Sequence, residues 1–223
     1  MKKFLAIAAS LVFAATAQAQ KDVTRFLGIP VDGFKPEMIE RLKEKGFRSS
    51  SYDREVLEGE FNGRDVNVYV ATNNNRVYRI MVGDRNCIGE GEIRIRFNRL
   101  CSQFDNNPKY ISFWGDQTIS DDEDISYEMT VHDKRYEAVF YQKADSVTIA
   151  NAVKEALLSD YTEEQLADPT EEMQAKAEEL KNSLERRPVF EKLVWFRIAQ
   201  HLGKYYISMY YDNEYNQASG EDL

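Results

Sequence analysis

The chain reads as an α+β protein: two helix-then-antiparallel-meander units forming a sheet with helices on one face, plus a helical insertion. Three observations predict this. Alternating apolar and polar runs are joined by turn residues such as Asn62-Gly63, the signature of hairpins. Single-faced helical stripes stand ahead of the alternating runs. A capped, charge-dense helical stretch, residues 145–188, then interrupts the later set.

Residues 1–19 have a positive start at Lys2 and Lys3, an apolar run from Phe4 to Ala15, and the small-x-small site Ala17-Gln18-Ala19. This pattern predicts a signal peptide, cleavage before Gln20, and a periplasmic or secreted protein. The run is too short to span about 30 Å of hydrocarbon, so the protein is not expected to be membrane-spanning. No cysteine follows the run, and it is therefore not expected to be a lipoprotein. Losing the two leader lysines takes the formal charge from −9 to −11, which disfavours nucleic acid and anionic lipid and permits a basic partner.

The first unit, residues 20–108, opens with RFLGIPVDGFKPEMIERLKEKGF. Phe26, Leu27 and Ile29 suggest a short strand, Asp32-Gly33 a turn, and Pro36 a first helical position that needs no N–H partner. Met38, Ile39 and Leu42 share one helical face; Gly46 is placed as a left-handed stop, with Phe47 folding back. Val56–Phe61, Val66–Val70 and Val77–Val82 then alternate, separated by Asn62-Gly63 and Asn73-Asn74-Asn75. A second helix, about Glu92 to Asp105, carries Ile93, Phe97, Leu100, Cys101 and Phe104 on one face and ends at Asn106-Asn107-Pro108.

The second unit, residues 109–223, has alternating runs at Ile125–Val131 and Tyr136–Tyr141 about a turn at His132-Asp133. YEMTVHDKRYEAVFYQ thus reads as an echo of LEGEFNGRDVNVYVAT. Leu193–Gln200 and Tyr205–Tyr211 form a further hairpin about Leu202-Gly203. In the insertion, Ile149, Val153, Ala156 and Leu157 make one stripe, and Thr162 with Gln165 a capping box. Asp168-Pro169 opens a helix bearing Met173, Ala177, Leu180 and Leu184, and Pro188 ends it. The whole is expected to form one compact domain.

The opening L-G-I-x-V-x-G…M-I…L…K-G-F, followed by a meander and a second such unit, resembles exported Bacteroidales proteins of unassigned activity. In architecture it is similar to the beta-lactamase-inhibitor-protein-like fold and the small outer-membrane assembly lipoproteins. The resemblance implies an interaction module rather than an enzyme, because those folds present a sheet face to other proteins.

The residues point the same way. No nucleophile elbow, phosphate loop, zinc helix motif or dinucleotide glycine pattern is present, and no catalytic residue or cofactor is nominated. The two histidines, His132 and His201, fall at turns without an orienting partner. The acidic run Asp121-Asp122-Glu123-Asp124 lacks calcium-loop spacing, so no metal is expected. Cys87 and Cys101 are candidates for one disulfide in an oxidising compartment, although Cys101 also reads as a small buried hydrophobe.

Splitting the strands by parity gives a core face of Leu57, Phe61, Val66, Val68, Val70, Tyr78, Ile80, Tyr127, Met129, Val131, Val194, Phe196 and Ile198. The other face collects Tyr69, Arg79, Trp195, Arg197, Tyr206 and Tyr210 among polar residues. A wet sheet face is normally Thr, Lys and Glu, whereas Trp, Tyr and Arg are enriched at binding hot spots. These six residues are the candidate binding set. The expected function is a protein-binding module, with an envelope glycan or peptidoglycan as the alternative ligand and a hydrolase as the least supported class. If the set faces water, truncating Trp195 is expected to cost little stability and much binding.

Overall fold

A computed structural model describes residues 21–186, 189 and 191–218. The expected leader and the helix stop at Pro188 lie outside the described residues. The chain divides into two compact units. One comprises Val23–Gln142 and the described part of Phe190–Leu223; the other comprises Lys143–Val189 and the described residues up to Asp22. No described helix is long and apolar enough to cross a membrane.

The larger unit begins with a two-residue ribbon, β1 (Arg25–Phe26) against β2 (Ile29–Pro30), turned by Leu27 and Gly28 at φ 50° and 82°. What the apolar pattern suggests is one strand is thus a tight hairpin, because Gly28 supplies a left-handed corner. Helix α1 (Lys35–Glu44) buries Met38 and Leu42. It stops at Gly46, φ 99°, and Phe47 returns to donate its N–H to the Leu42 carbonyl at 3.3 Å.

The remaining strands of this unit are β3 (Arg48–Ser49), β4 (Val56–Phe61), β5 (Arg64–Asn73), β6 (Arg76–Asp84), β7 (Tyr110–Ser112), β8 (Glu137–Gln142), β9 (Leu193–His201) and β10 (Lys204–Asp212). They form one antiparallel sheet of eight strands in the order β3-β4-β5-β6-β10-β9-β8-β7. This is two four-stranded meanders joined between β6 and β10, each preceded by a helix: α1 for the first, α2 (Glu90–Asp105) for the second. Asn62-Gly63, Asn74-Asn75 and Leu202-Gly203 all hold positive φ, as two-residue hairpin turns demand.

Both helices lie on the same sheet face. Met38 and Leu42 of α1, and Ile93, Phe97, Leu100, Cys101 and Phe104 of α2, share one core with Val66, Val68, Ile80, Val82, Phe196, Ile207 and Tyr211. Helix α2 is also tied to the sheet by a buried ion pair, Arg96 Nε and Nη2 each 2.6 Å from the Asp84 carboxylate. A closer approach is made at Gly59 of β4, where a Cβ would stand 2.5 Å from Cδ1 of Phe47.

Two further expectations are corrected. Ile125–Val131 is not a strand but a short helix, α3, capped by the Asp124 side chain accepting the Tyr127 N–H at 2.8 Å. Ile125 is buried and Met129 packs on the core four residues later, while Tyr127 and Val131, placed on the core face by alternation, are 50% and 57% exposed. The burial period is therefore helical. The first strand of the second meander is instead the short β7, so the proposed echo between the two meanders does not hold residue for residue. The second correction concerns Tyr78. Between Ala71–Arg79 and Thr72–Val77 the β5/β6 register shifts by one residue, so Val77 rather than Tyr78 enters the core.

The smaller unit is helical. Helix α4 (Ser146–Leu158) starts at Asp145, whose carboxylate accepts the Thr148 N–H at 2.8 Å. Helix α5 (Glu163–Ala167) has the expected Thr162/Gln165 capping box, and α6 (Glu171–Arg186) follows. Ile149, Val153 and Leu157 pack with Ala177, Leu180 and Leu184 into a small core of their own.

Candidate functional site

The face of the eight-stranded sheet opposite α1 and α2 is set by strand pairing. Tyr69 of β5, Met81 of β6, Tyr210 of β10, Trp195 of β9 and Val139 of β8 are successive cross-strand partners and form one transverse row. Neighbouring strands lie about 4.8 Å apart, so such partners touch. Trp195 and Tyr210 stack with ring centroids 4.0 Å apart and planes at 14°.

The adjacent row supplies charge. Arg79 and Asp212 are direct partners between β6 and β10, and the guanidinium holds the carboxylate through Nε at 2.5 Å and Nη2 at 2.8 Å. The indole N–H of Trp195 donates to the same carboxylate at 2.9 Å. Asp212 is 1% exposed, so three donors replace the water it has lost. This hydrogen bond raises the Arg79 pKa above its ordinary value, although burial pulls it down. The Arg79 guanidinium carbon also lies 5.1 Å from the Tyr210 ring centre and 5.8 Å from that of Trp195.

On the other side of the row Arg197, paired with Ser208, brings its guanidinium carbon to 5.9 Å from the Tyr210 ring. Its Nε is buried with no hydrogen-bond partner among the described residues. Four of the six candidate residues, Arg79, Trp195, Arg197 and Tyr210, are thus brought into one cluster. Tyr69 joins the row through Met81, and Tyr206 lies further along β10 opposite Ala199. The exposed face is smaller than alternation alone suggests, because Tyr210 is 7% exposed.

Sequence reasoning misses three members of this face. Asp212 is the first, a lone carboxylate closing the run KYYISMYYD; its parity with Tyr210 was the available signal. Phe113 and Trp114 are the others, in the segment leaving the edge strand β7. They are 44% and 61% exposed, and their rings meet edge-on at 4.4 Å. Phe113 also meets Tyr141 of β8 edge-on at 5.6 Å, and its N–H donates to the Val139 carbonyl at 3.0 Å. Beyond it the Gln117 side-chain amide takes over the ladder, accepting from Val139 N at 2.8 Å and donating back to the Val139 carbonyl at 3.1 Å. An amide that pairs like a strand explains how the sheet edge is closed where β7 ends. The adjacent Phe113-Trp114-Gly115 triplet was the sequence signal.

Cys87 and Cys101 are separate thiols, half-buried and buried respectively. Cys101 lies on the core face of α2, where burial and then Asp105 push its pKa up to about 12. Among the described residues no three His, Cys, Asp or Glu side chains converge as metal ligands. His132 Nδ1 sits 3.2 Å from Glu128 across one turn of α3.

No protein-family model, curated protein or solved structure matches the chain.

Proposed function

We propose that the mature chain is an exported protein-binding module that docks another protein on the sheet face bearing Phe113, Trp114, Trp195 and Arg197. The observation carrying this reading is the exposed Phe113–Trp114 pair at the sheet edge, continued through Tyr141 towards the row of Val139 and Trp195. Isolated exposed apolar residues are ordinary, whereas a contiguous aromatic patch with a charged margin has the anatomy of an interface. The glycan alternative needs free aromatic faces side by side. Trp195 and Tyr210 instead cover one another's faces at 4.0 Å, which supports the protein reading.

The test is quantitative capture from an envelope extract with the mature chain, Trp114→Ala and Phe113→Ala. Loss of an interface anchor costs about 2 kcal/mol of affinity, or roughly thirtyfold, while an exposed substitution leaves stability within about 0.5 kcal/mol. A partner retained equally by parent and both variants overturns the reading, as does equal binding to purified peptidoglycan and no protein.

A further inference from the structure

Arg197 of β9 carries a charge that no described residue answers. The other arginines that the strands place on its sheet face have carboxylates: Arg79 holds Asp212, and Arg85, just past β6, stands 3.2 Å from Glu58. The Arg197 guanidinium meets neither a hydrogen-bond acceptor nor a carboxylate among the described residues, and its Nε is buried. Its terminal nitrogens, equally without partners, are not buried. The Nε of Arg94 is also buried and unpartnered, but there the terminal nitrogens donate to the Asp121 carbonyl at 2.6 Å and to the Glu123 carbonyl, tying α2 to the segment before α3. Arg94 is a structural tie, whereas Arg197 ties nothing.

The strand pairing shows what space the guanidinium faces. Its cross-strand neighbours are Glu137 of β8 on one side and Ser208 of β10 on the other. The side chain leans over β10, with its guanidinium carbon 5.9 Å from the Tyr210 ring, rather than towards Glu137. Beyond Ser208 in the same row stands Gly83 of β6, where nothing lies within 4 Å of an added Cβ. Gly83 and Ser208 thus make a low stretch beside the taller Met81 and Tyr210, and Arg197 overhangs its end.

A guanidinium whose Nε has lost water without gaining an acceptor carries a desolvation cost that the folded protein already bears. An arriving carboxylate therefore gains charge-assisted hydrogen bonds without first having to dehydrate and immobilise this arginine. Net charge does not decide such a contact pair, because bulk fields are screened over about 8 Å at physiological salt.

We infer that Arg197 is the specificity determinant of the aromatic face and takes the carboxylate of an Asp or Glu side chain of the docked protein, held end-on by its two terminal nitrogens above Ser208 and Gly83. The inference rests on the reading of this face as a protein-binding surface and adds the chemistry that is recognised there: an acidic residue set beside the Trp195–Tyr210 stack.

The site is tested first without the partner. Phenylacetate and its neutral isostere phenylacetamide are titrated into the mature chain at constant ionic strength, and the Nε–Hε resonance of Arg197 is followed by NMR. Phenylacetate is expected to move it saturably and phenylacetamide to leave it in place. No movement at tens of millimolar phenylacetate overturns the inference, as does equal movement with the amide; the unvaried protein decides both. Arg197→Met keeps an apolar stem and drops the unpaired charge, so it is expected to melt no lower than the parent. A markedly lower melting point would make the guanidinium a structural tie and overturn the inference. Against a protein captured from the envelope extract, Arg197→Met is expected to bind about tenfold or more weakly, and Arg197→Lys to recover part of the loss, since it keeps the charge without the planar fork. A protein that Trp114→Ala releases and Arg197→Met retains in full refutes the carboxylate contact and leaves the protein-binding reading standing. Capture of no protein, with phenylacetate still moving the Arg197 resonance, removes that reading and leaves the carboxylate site.

Discussion

Truncation of Trp195 to alanine is the perturbation that most directly probes the sheet face. The side chain stacks on Tyr210 at 4.0 Å between ring centroids and donates its indole N–H to the buried Asp212 carboxylate at 2.9 Å. An aromatic pair contributes about 0.5–1.5 kcal/mol beyond its buried area, and a hydrogen bond to a charged group about 1.5–3 kcal/mol. Trp195→Ala is therefore expected to lose about 2–4 kcal/mol, measured as a lowered urea midpoint with unchanged slope. Trp195→Phe keeps a ring on Tyr210 and removes only the donor, so its loss should be about 1.5–3 kcal/mol and smaller than that of alanine in the same series. This reverses the expectation from alternation alone, that truncation costs little. An alanine variant within about 0.5 kcal/mol of the parent, the range of ordinary surface changes, would refute the argument. It would mean that the Arg79–Asp212–Trp195–Tyr210 cluster is not formed in solution. Because Trp195 carries stability, the binding proposal rests on the exposed Trp114 and Phe113 instead.

Gly59→Ala should destabilise by about 1–3 kcal/mol in the same assay, since its Cβ would collide with the Phe47 ring, and Phe47→Leu should relieve part of that loss. Glu214 has its pKa raised by burial and then by Asp212, so the folded state favours its neutral form. Its stabilising effect is present below the unfolded-state pKa and lost as pH rises through the folded value; Glu214→Gln should therefore melt higher than the parent at neutral pH, with the gap closing in acid. A gap that is constant with pH would contradict this. Thiol titration with a chromogenic disulfide should find one accessible group, Cys87, in the native protein, because burial and Asp105 hold Cys101 protonated with a pKa of about 12. Two thiols should react in denaturant; none reacting there would reveal a bridge.

The sequence by itself determines what local chemistry controls. Asn62-Gly63 and Asn74-Asn75 specify left-handed corners and hence hairpins, Gly46 stops α1, Thr162 and Gln165 cap α5, and one-faced stripes place α1, α2 and α6. Alternation likewise puts Val66, Val68, Val194 and Phe196 inside, and Arg79, Trp195, Arg197 and Tyr210 on the far face, because strand parity is a property of the backbone. Tertiary structure decides the rest. Residues 125–131 fit two periods, and burial of Ile125 with Met129, together with the Asp124 cap, selects the helix. One bulged residue in β6 exchanges Val77 for Tyr78 in the core, a shift fixed by pairing with β5 and invisible in β6 alone. The Arg79–Asp212 pair at the heart of the cluster joins side chains 133 residues apart in sequence. Such meetings follow from strand order, because only the joining of β6 to β10 brings Arg79 opposite Asp212.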